Sequence, residues 1–120
     1  MNNQNGLIQD KTFNFALSII ELYKVLCNGN EYVISKQLLR SGTSIGANVE
    51  EATAGQTKKD FITKMAIASK EARETRYWLK LLKQSYLLEN NLDTYLDSFE
   101  EIIKILTGIV KTAQSNLKNK

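Results

Sequence analysis

The stretch that most constrains the fold runs from Lys58 to Tyr86 and contains neither glycine nor proline. Its small and apolar residues follow one another at alternating steps of four and three, which is typical of a long helix packed almost parallel to its neighbours. These residues are Phe61, Met65, Ala68, Ala72, Thr75, Leu79, Leu82 and Tyr86. At about 1.5 Å per residue the helix is roughly 43 Å long. The rest of the chain is therefore expected to pack along it.

Similar periodicity predicts three further helices, so the four helices are expected at about 7–27, 31–55, 58–87 and 91–117. The first is expected to bury Phe13, Ala16, Leu17, Ile20, Tyr23 and Cys27. The second is expected to bury Ile34, Leu38, Ser41, Ile45, Asn48 and Ala52, and the fourth Leu92, Leu96, Phe99, Ile103, Leu106, Val110, Ala113 and Leu117. Short connections between long helices make neighbours antiparallel, which predicts an all-α, up-down-up-down four-helix bundle in a single domain.

One segment of the second helix, 40–46, is rich in serine and glycine, which by propensity alone favours a turn. The apolar periodicity keeps its phase across this segment, so we predict a continuous helix. Gly42 and Gly46 are four residues apart on one side of it, where they would let a neighbouring helix approach closely. A phosphate-binding glycine loop is the alternative, but it requires a preceding strand and usually a Gly-Lys-Ser/Thr ending, and the sequence has neither.

The composition argues against catalysis. Among 120 residues there is no histidine and one cysteine, Cys27. A Ser-His-Asp triad is therefore impossible, and the Glu-x-x-His pairs of di-iron bundles are missing. Glu71 and Glu74 leave a carboxylate-pair hydrolase formally open, but they lie on a helix with no evident cleft. We expect no catalytic residue, no metal site, no cofactor and no enzymatic activity.

The compartment is expected to be the cytoplasm. No apolar run approaches the ~20 residues that a membrane span needs, and the N-terminus lacks the basic start and apolar core of a signal peptide. A single cysteine also fits a reducing compartment. The sequence therefore predicts no membrane partner.

A structural polar cluster is predicted between the second and third helices. Arg40 is the natural partner of Glu71 or Glu74, because charges near a buried surface need pairing and arginine can satisfy a carboxylate with two donors. Asn48 is the fourth candidate member. Our hypothesis is that this cluster determines helix register or subunit geometry.

A second apolar stripe flanks the seam of the third helix, and the fourth helix has a similar stripe. The candidate residues are Ile67, Trp78 and Leu81 on the third helix and Tyr95, Ile102, Ile105 and Ile109 on the fourth. These stripes present more apolar surface than one small bundle easily buries, which favours a subunit interface. A wide core face is the alternative.

The third helix also carries a basic stripe that is a candidate nucleic-acid-binding site. Arg73, Arg76, Lys80 and Lys83 step by three, four and three, and Lys59, Lys70 and Tyr77 lie near the same side. We call the six cations the basic ridge. It could neutralise phosphates along a nucleic-acid backbone, without reading bases. An ordinary solvated helix face is the alternative.

Two stretches resemble a known family of four-helix bundles. They are QLLRSGTSIGANVEEA at 37–52 and KKDFITKMAIASKEARETRYWLKLL at 58–82. The first contains an R-S-x-x-S-I-x-A-N-x-x-E pattern from Arg40 to Glu51, and an E-x-x-E pattern follows at Glu71 and Glu74. The sequence is similar to the proteins encoded in intervening sequences of bacterial 23S ribosomal RNA genes. The accessory variability determinant of diversity-generating retroelements belongs to the same group.

The resemblance implies a left-handed antiparallel four-helix bundle that assembles as a ring, commonly a homopentamer. The retroelement member is a basic pentamer that binds nucleic acid and a reverse transcriptase. For this chain we expect a non-enzymatic homo-oligomer that binds RNA, or DNA, through the basic ridge. The alternative is a protein-interaction scaffold without nucleic-acid contact. Salt separates the two, because phosphate binding weakens steeply with salt and an apolar contact hardly changes.

Overall fold

Four long helices form the computed structural model of the protein, which describes residues 3–85 and 92–118. They are α1 (Asn3–Asn28), α2 (Ile34–Thr53), α3 (Lys58–Ser85) and α4 (Asp93–Lys118). The described residues include no strand, which confirms the all-α prediction. Tyr86 and the predicted turn at 88–91 lie outside the described residues.

Helices that follow one another in the chain lie side by side and run antiparallel. Arg40 of α2 contacts Glu74 of α3, whereas the later residue Glu51 contacts the earlier Lys64. The same reversal relates α3 to α4, and α1 also packs on α4. The result is an elongated four-helix bundle of 52 × 21 × 21 Å. Its left-handed sense remains a prediction.

The core follows the predicted seam of α3 closely. Its buried residues are Met65, Ala68, Ala72, Thr75, Leu79 and Leu82, and Phe61 is half-buried. In α2 the predicted residues Leu38, Ser41, Ile45 and Ala52 are also buried, while Asn48 is half-buried and Val49 takes the adjacent core position. Since each helix supplies one continuous stripe, the bundle closes around a single apolar core.

The predicted inner stripe of α1 was wrong. Phe13 and Leu17 are 63% and 50% exposed. The buried stripe instead comprises Ile8, Thr12, Phe15, Ile19, Leu22 and Leu26. Both stripes have helical spacing, so periodicity cannot choose between them. The stripe that contains Phe15 is buried because its side chains fit those of the neighbouring helices. For example, the rings of Phe15 and Phe99 pack edge-on, with centroids 3.8 Å apart.

The glycine segment is a continuous part of α2, as predicted. Gly42 is buried against α1, and a Cβ atom placed there would lie 2.9 Å from both Cγ atoms of Ile19. A Cβ at Gly46 would lie 3.4 Å from the carbonyl oxygen of Thr12. The two glycines therefore allow α1 and α2 to approach closely, and Gly42 is the stricter requirement.

The turn from α1 to α2 is closed by backbone hydrogen bonds around Asn30. This residue has φ 66°, the left-handed conformation that ends many helices. The Asn30 N–H donates to the Cys27 carbonyl at 3.0 Å, and the Glu31 N–H donates to the Leu26 carbonyl at 2.9 Å. This pair of bonds satisfies two of the carbonyls that the end of α1 would leave without partners.

Glu31 caps α2 from three residues before its first helical residue. Its carboxylate accepts the backbone N–H groups of Val33, Ile34 and Ser35 at 3.2, 2.9 and 2.6 Å. Burial raises the pKa of this carboxyl, but the hydrogen bonds from Ile34, Ser35 and Val33 lower it, and the pKa ends below its ordinary value. The predicted helix start near Glu31 is thus the position of the cap.

Candidate nucleic-acid interface and polar cluster

The basic ridge runs along the surface of α3, and three of its members, Arg73, Arg76 and Lys83, contact α4. Its members Lys59, Lys70, Arg73, Lys80 and Lys83 are exposed, and Arg76 is half-buried. All six cations therefore lie at the surface of α3 or partly buried there, but their surroundings differ.

Two ridge cations are paired with carboxylates of α4. Arg76 Nη1 lies 3.1 Å from Glu100 Oε1, and Lys83 Nζ lies 2.6 Å from Asp93 Oδ1. Each carboxylate offsets most of the charge that its partner could offer to a phosphate. These two positions therefore hold α3 to α4 more than they contribute to an open cationic surface.

The other four ridge cations form no ion pair with any carboxylate of the described residues. They are Lys59, Lys70, Arg73 and Lys80. Arg73 Nη2 donates only a long hydrogen bond, 3.5 Å, to Thr107 Oγ1 of α4. From Lys59 to Lys80 the helix rises roughly 32 Å. The open part of the basic ridge is therefore a row of four cations along most of α3.

Two lysines of α4 extend this surface, and our sequence reasoning did not include them. Lys104 and Lys111 are exposed and flank Thr107, the residue that Arg73 contacts. They are seven residues apart, so they lie on one side of α4. Neither pairs with a carboxylate in the described part of the chain. Their seven-residue spacing shows in the sequence that the two lysines share one side of α4. Only the packing of α3 on α4 shows that this side lies next to the basic ridge.

The polar cluster forms between α2 and α3 without Asn48. Arg40 binds the Glu74 carboxylate, and its Nη1 lies 3.4 Å from Glu71 Oε2. Trp78 Nε1 donates to Glu74 Oε2 at 3.1 Å. The Asn48 amide instead donates to the Ser44 carbonyl of its own helix at 2.9 Å. One guanidinium thus holds two carboxylates, and an indole holds the second carboxylate in place.

A buried pair of hydroxyls lies beside this cluster and was not predicted. Thr75 Oγ1 is 2.8 Å from Ser41 Oγ and 2.7 Å from the carbonyl oxygen of Glu71. Both side chains are fully buried, and this arrangement gives each hydroxyl a partner. The sequence does contain a sign of this hydroxyl pair, because Ser41 and Thr75 each occupy an otherwise apolar position in the seams of neighbouring helices.

The predicted interface residues divide into two groups. Ile102 and Ile109 are only 2% and 5% exposed, so they belong to the core and cannot line a subunit interface. Five others are half-buried: Ile67, Trp78, Leu81, Tyr95 and Ile105. Ile102 and Ile109 are buried because α4 packs against both α1 and α3, so that its buried face is wider than one seam.

Within the described residues, no three histidine, cysteine, aspartate or glutamate side chains gather as metal ligands. No helix there is both long enough and apolar enough to cross a membrane. An open groove of about 670 Å³ lies between α1 and α4, next to an ion pair of 2.6 Å between Lys11 and Glu101.

Comparison with known proteins adds a family and a fold. Residues 4–108 match the model of a family described as 23S rRNA-intervening sequence protein. A crystal structure from Bacteroides thetaiotaomicron VPI-5482, of a protein with unknown function from the S23 ribosomal protein family, is 46% identical to this chain. The match covers 90% of this chain and 98% of that one, with a TM-score of 0.86. None of the curated proteins matches.

Proposed function

The chain belongs to the 23S rRNA-intervening sequence protein family, and we propose that it is a non-enzymatic, cytoplasmic homo-oligomer that binds nucleic acid, RNA in particular, through the basic ridge. The contact is made to phosphates and follows charge and shape rather than base sequence. DNA is bound by the same means where its phosphates reach the ridge.

The observation that carries this proposal is the row of four cations without carboxylate partners on α3. Lysines and arginines on an ordinary solvated helix are commonly interspersed with acids, and Arg76 and Lys83 show that α4 can supply such acids here. Lys59, Lys70, Arg73 and Lys80 nevertheless keep their charges for solvent or a ligand. A linear row of this kind suits a phosphate backbone.

Self-association is supported by two separate apolar patches. One is the α1 outer stripe, made of the exposed Phe13 and Leu17 with the half-buried Ile20. The other is the second stripe of α3, where the half-buried Ile67, Trp78 and Leu81 alternate with Glu71 and Glu74. A closed ring needs two different patches that meet head to tail, and α1 and α3 both border α2. We propose a ring, with five members as the family resemblance implies.

Charge reversal at Lys70 and Lys80 tests the basic ridge. The unmodified protein is expected to bind a structured RNA with a slope of log affinity against log salt of about −3 or steeper, because at least four phosphates are contacted. The double variant Lys70→Glu/Lys80→Glu should lose roughly half of that slope and about tenfold or more in affinity, because it removes two of the four cations. Fluorescence anisotropy over several salt concentrations measures both quantities.

The matched control is Lys24→Glu/Lys36→Glu, which changes the net charge equally on α1 and α2. It should change the affinity by at most about twofold. Equal losses in both variants would show that binding follows net charge alone and would contradict the assignment to the basic ridge. If the unmodified protein binds no RNA at low salt, the nucleic-acid proposal fails. The protein-interaction scaffold then becomes the better hypothesis.

Native mass spectrometry tests the ring. The unmodified protein is expected at a multiple of the chain mass, and Phe13→Glu/Leu17→Glu should return it to the monomer, because two carboxylates cannot be buried unpaired in an apolar contact. The control Val25→Glu/Val33→Glu changes two other exposed apolar residues of this half of the chain and should keep the assembly intact. A monomeric unmodified protein would refute self-association.

A further inference from the structure

We infer that the basic ridge binds single-stranded nucleic acid, with a base stacked on the ring of Tyr77. This inference rests on the proposed function and specifies its ligand class. Proteins that bind single strands without sequence preference combine a cationic track with aromatic side chains on which bases stack. The described part of α3 contains both elements on one side.

Tyr77 is an exposed aromatic residue of α3 beside the basic ridge. It is 56% exposed, so much of its ring is accessible to a ligand. Its ring lies next to that of Trp78, with centroids 5.2 Å apart and planes inclined by 66°. Trp78 is itself half-buried and held by the hydrogen bond from its Nε1 to Glu74. The exposed ring is therefore supported from one side by an anchored neighbour, which lowers the entropy cost of stacking a base on it.

The cations nearest to Tyr77 are the ones without carboxylate partners. Arg73 precedes it by four residues and Lys80 follows it by three, so both are its neighbours on the helix surface. Lys70 lies two turns before it on the same side. The cations Arg76 and Lys83 are instead paired with carboxylates of α4. The phosphates on either side of a stacked base would therefore meet open cations.

A single strand fits this arrangement better than a duplex. Base faces in a duplex are covered by their neighbours in the stack, so an exposed ring on a helix surface cannot reach one without opening the helix. An unpaired strand presents its bases freely, and every base has a face that can stack. Tyr77 thus adds a contribution for single strands that the cations alone do not provide.

The test compares a 20-nucleotide oligouridine with a 20-base-pair RNA duplex by fluorescence anisotropy. Tyr77→Ala is expected to weaken binding of the single strand by roughly 5- to 150-fold, the range measured for loss of one stacked base, and to change duplex binding by less than about twofold. The salt slope should stay the same, because no charge is removed. Tyr77→Phe keeps the ring and should bind like the unmodified protein.

Tyr32→Ala is the matched control, since Tyr32 is 58% exposed at the turn before α2 and does not belong to α3. It should not change single-strand binding. Trp78, the one tryptophan of the chain, provides a second measurement, because a base stacked on the adjacent Tyr77 should quench its fluorescence and a duplex should not.

Four outcomes would overturn the inference. If Tyr77→Ala weakens single-strand and duplex binding equally, or weakens neither, the ring does not stack on bases. The proposed function would still hold in that case, provided that RNA binding by the protein depends on salt. A preference for duplex in the unmodified protein would have the same meaning. No binding of either ligand at low salt would remove both the inference and the proposed function.

Discussion

Replacing Gly42 with leucine is expected to lower the free energy of unfolding by about 3 kcal/mol or more. A Cβ alone would lie 2.9 Å from Cγ1 and Cγ2 of Ile19 and 3.2 Å from its Cβ. Ile19 is branched at Cβ and fully buried, so it cannot turn away. The only response is to separate α1 from α2, which would loosen the packing along both helices. Urea unfolding followed by circular dichroism, at one fixed chain concentration, measures the change.

The control is the same substitution at Gly108. This glycine lies inside α4, and a Cβ there would meet nothing within 4 Å. Because leucine favours a helix over glycine, Gly108→Leu should raise the free energy of unfolding by up to about 1 kcal/mol. The two substitutions should thus shift the urea midpoint in opposite directions. A Gly42→Leu protein as stable as the unmodified one would mean that α1 does not pack against α2 as described.

Replacing Arg40 with methionine is expected to lower the free energy of unfolding by roughly 1–2 kcal/mol. Arg40 holds Glu71, which is 18% exposed, and Glu74, which is 35% exposed. Without the guanidinium, two carboxylates one turn apart repel each other and lose a charged donor. Arg40 itself is 50% exposed, and solvent screening therefore keeps the effect below that of a buried pair.

Two further variants show whether the loss comes from the cluster. Adding Glu74→Gln to Arg40→Met should recover part of the stability, because one of the two repelling charges is removed. Lys24→Met removes the exposed cation that lies 3.6 Å from Glu21 and should change stability by less than about 0.5 kcal/mol. Melting temperature and native mass are measured together. If Arg40→Met leaves both unchanged, the cluster sets neither helix register nor subunit geometry.

Much of the bundle could be predicted from periodicity because the core positions of α2 and α3 keep one phase along each helix. On α3 a single phase connects the seam from Met65 to Leu82, and every buried position there was predicted. The continuity of α2 through Gly42 followed from the same argument. The basic ridge was equally accessible, since cations three and four residues apart share a face whatever lies beside them.

The surroundings of those residues could not be predicted in the same way. Arg76 and Lys80 look alike in the sequence, yet only Arg76 faces Glu100, a residue 24 positions away in the chain. Likewise Ile102 and Ile105 both flank the seam of α4, but the first is in the core and the second only half-buried. Such differences depend on which helices pack on either side, and a pattern within one helix carries no information about that.

The sequence by itself determined that this chain forms four helices, where α2 and α3 bury their seams, and that α3 carries a row of cations. Local spacing is sufficient for these features, because a helix places residues three and four apart on one side. Only the tertiary structure decided which of the two α1 stripes turns inward, which ridge cations are paired and which remain open. Those outcomes depend on contacts between distant residues, such as Ile19 against Gly42, where shape and charge must match across helices.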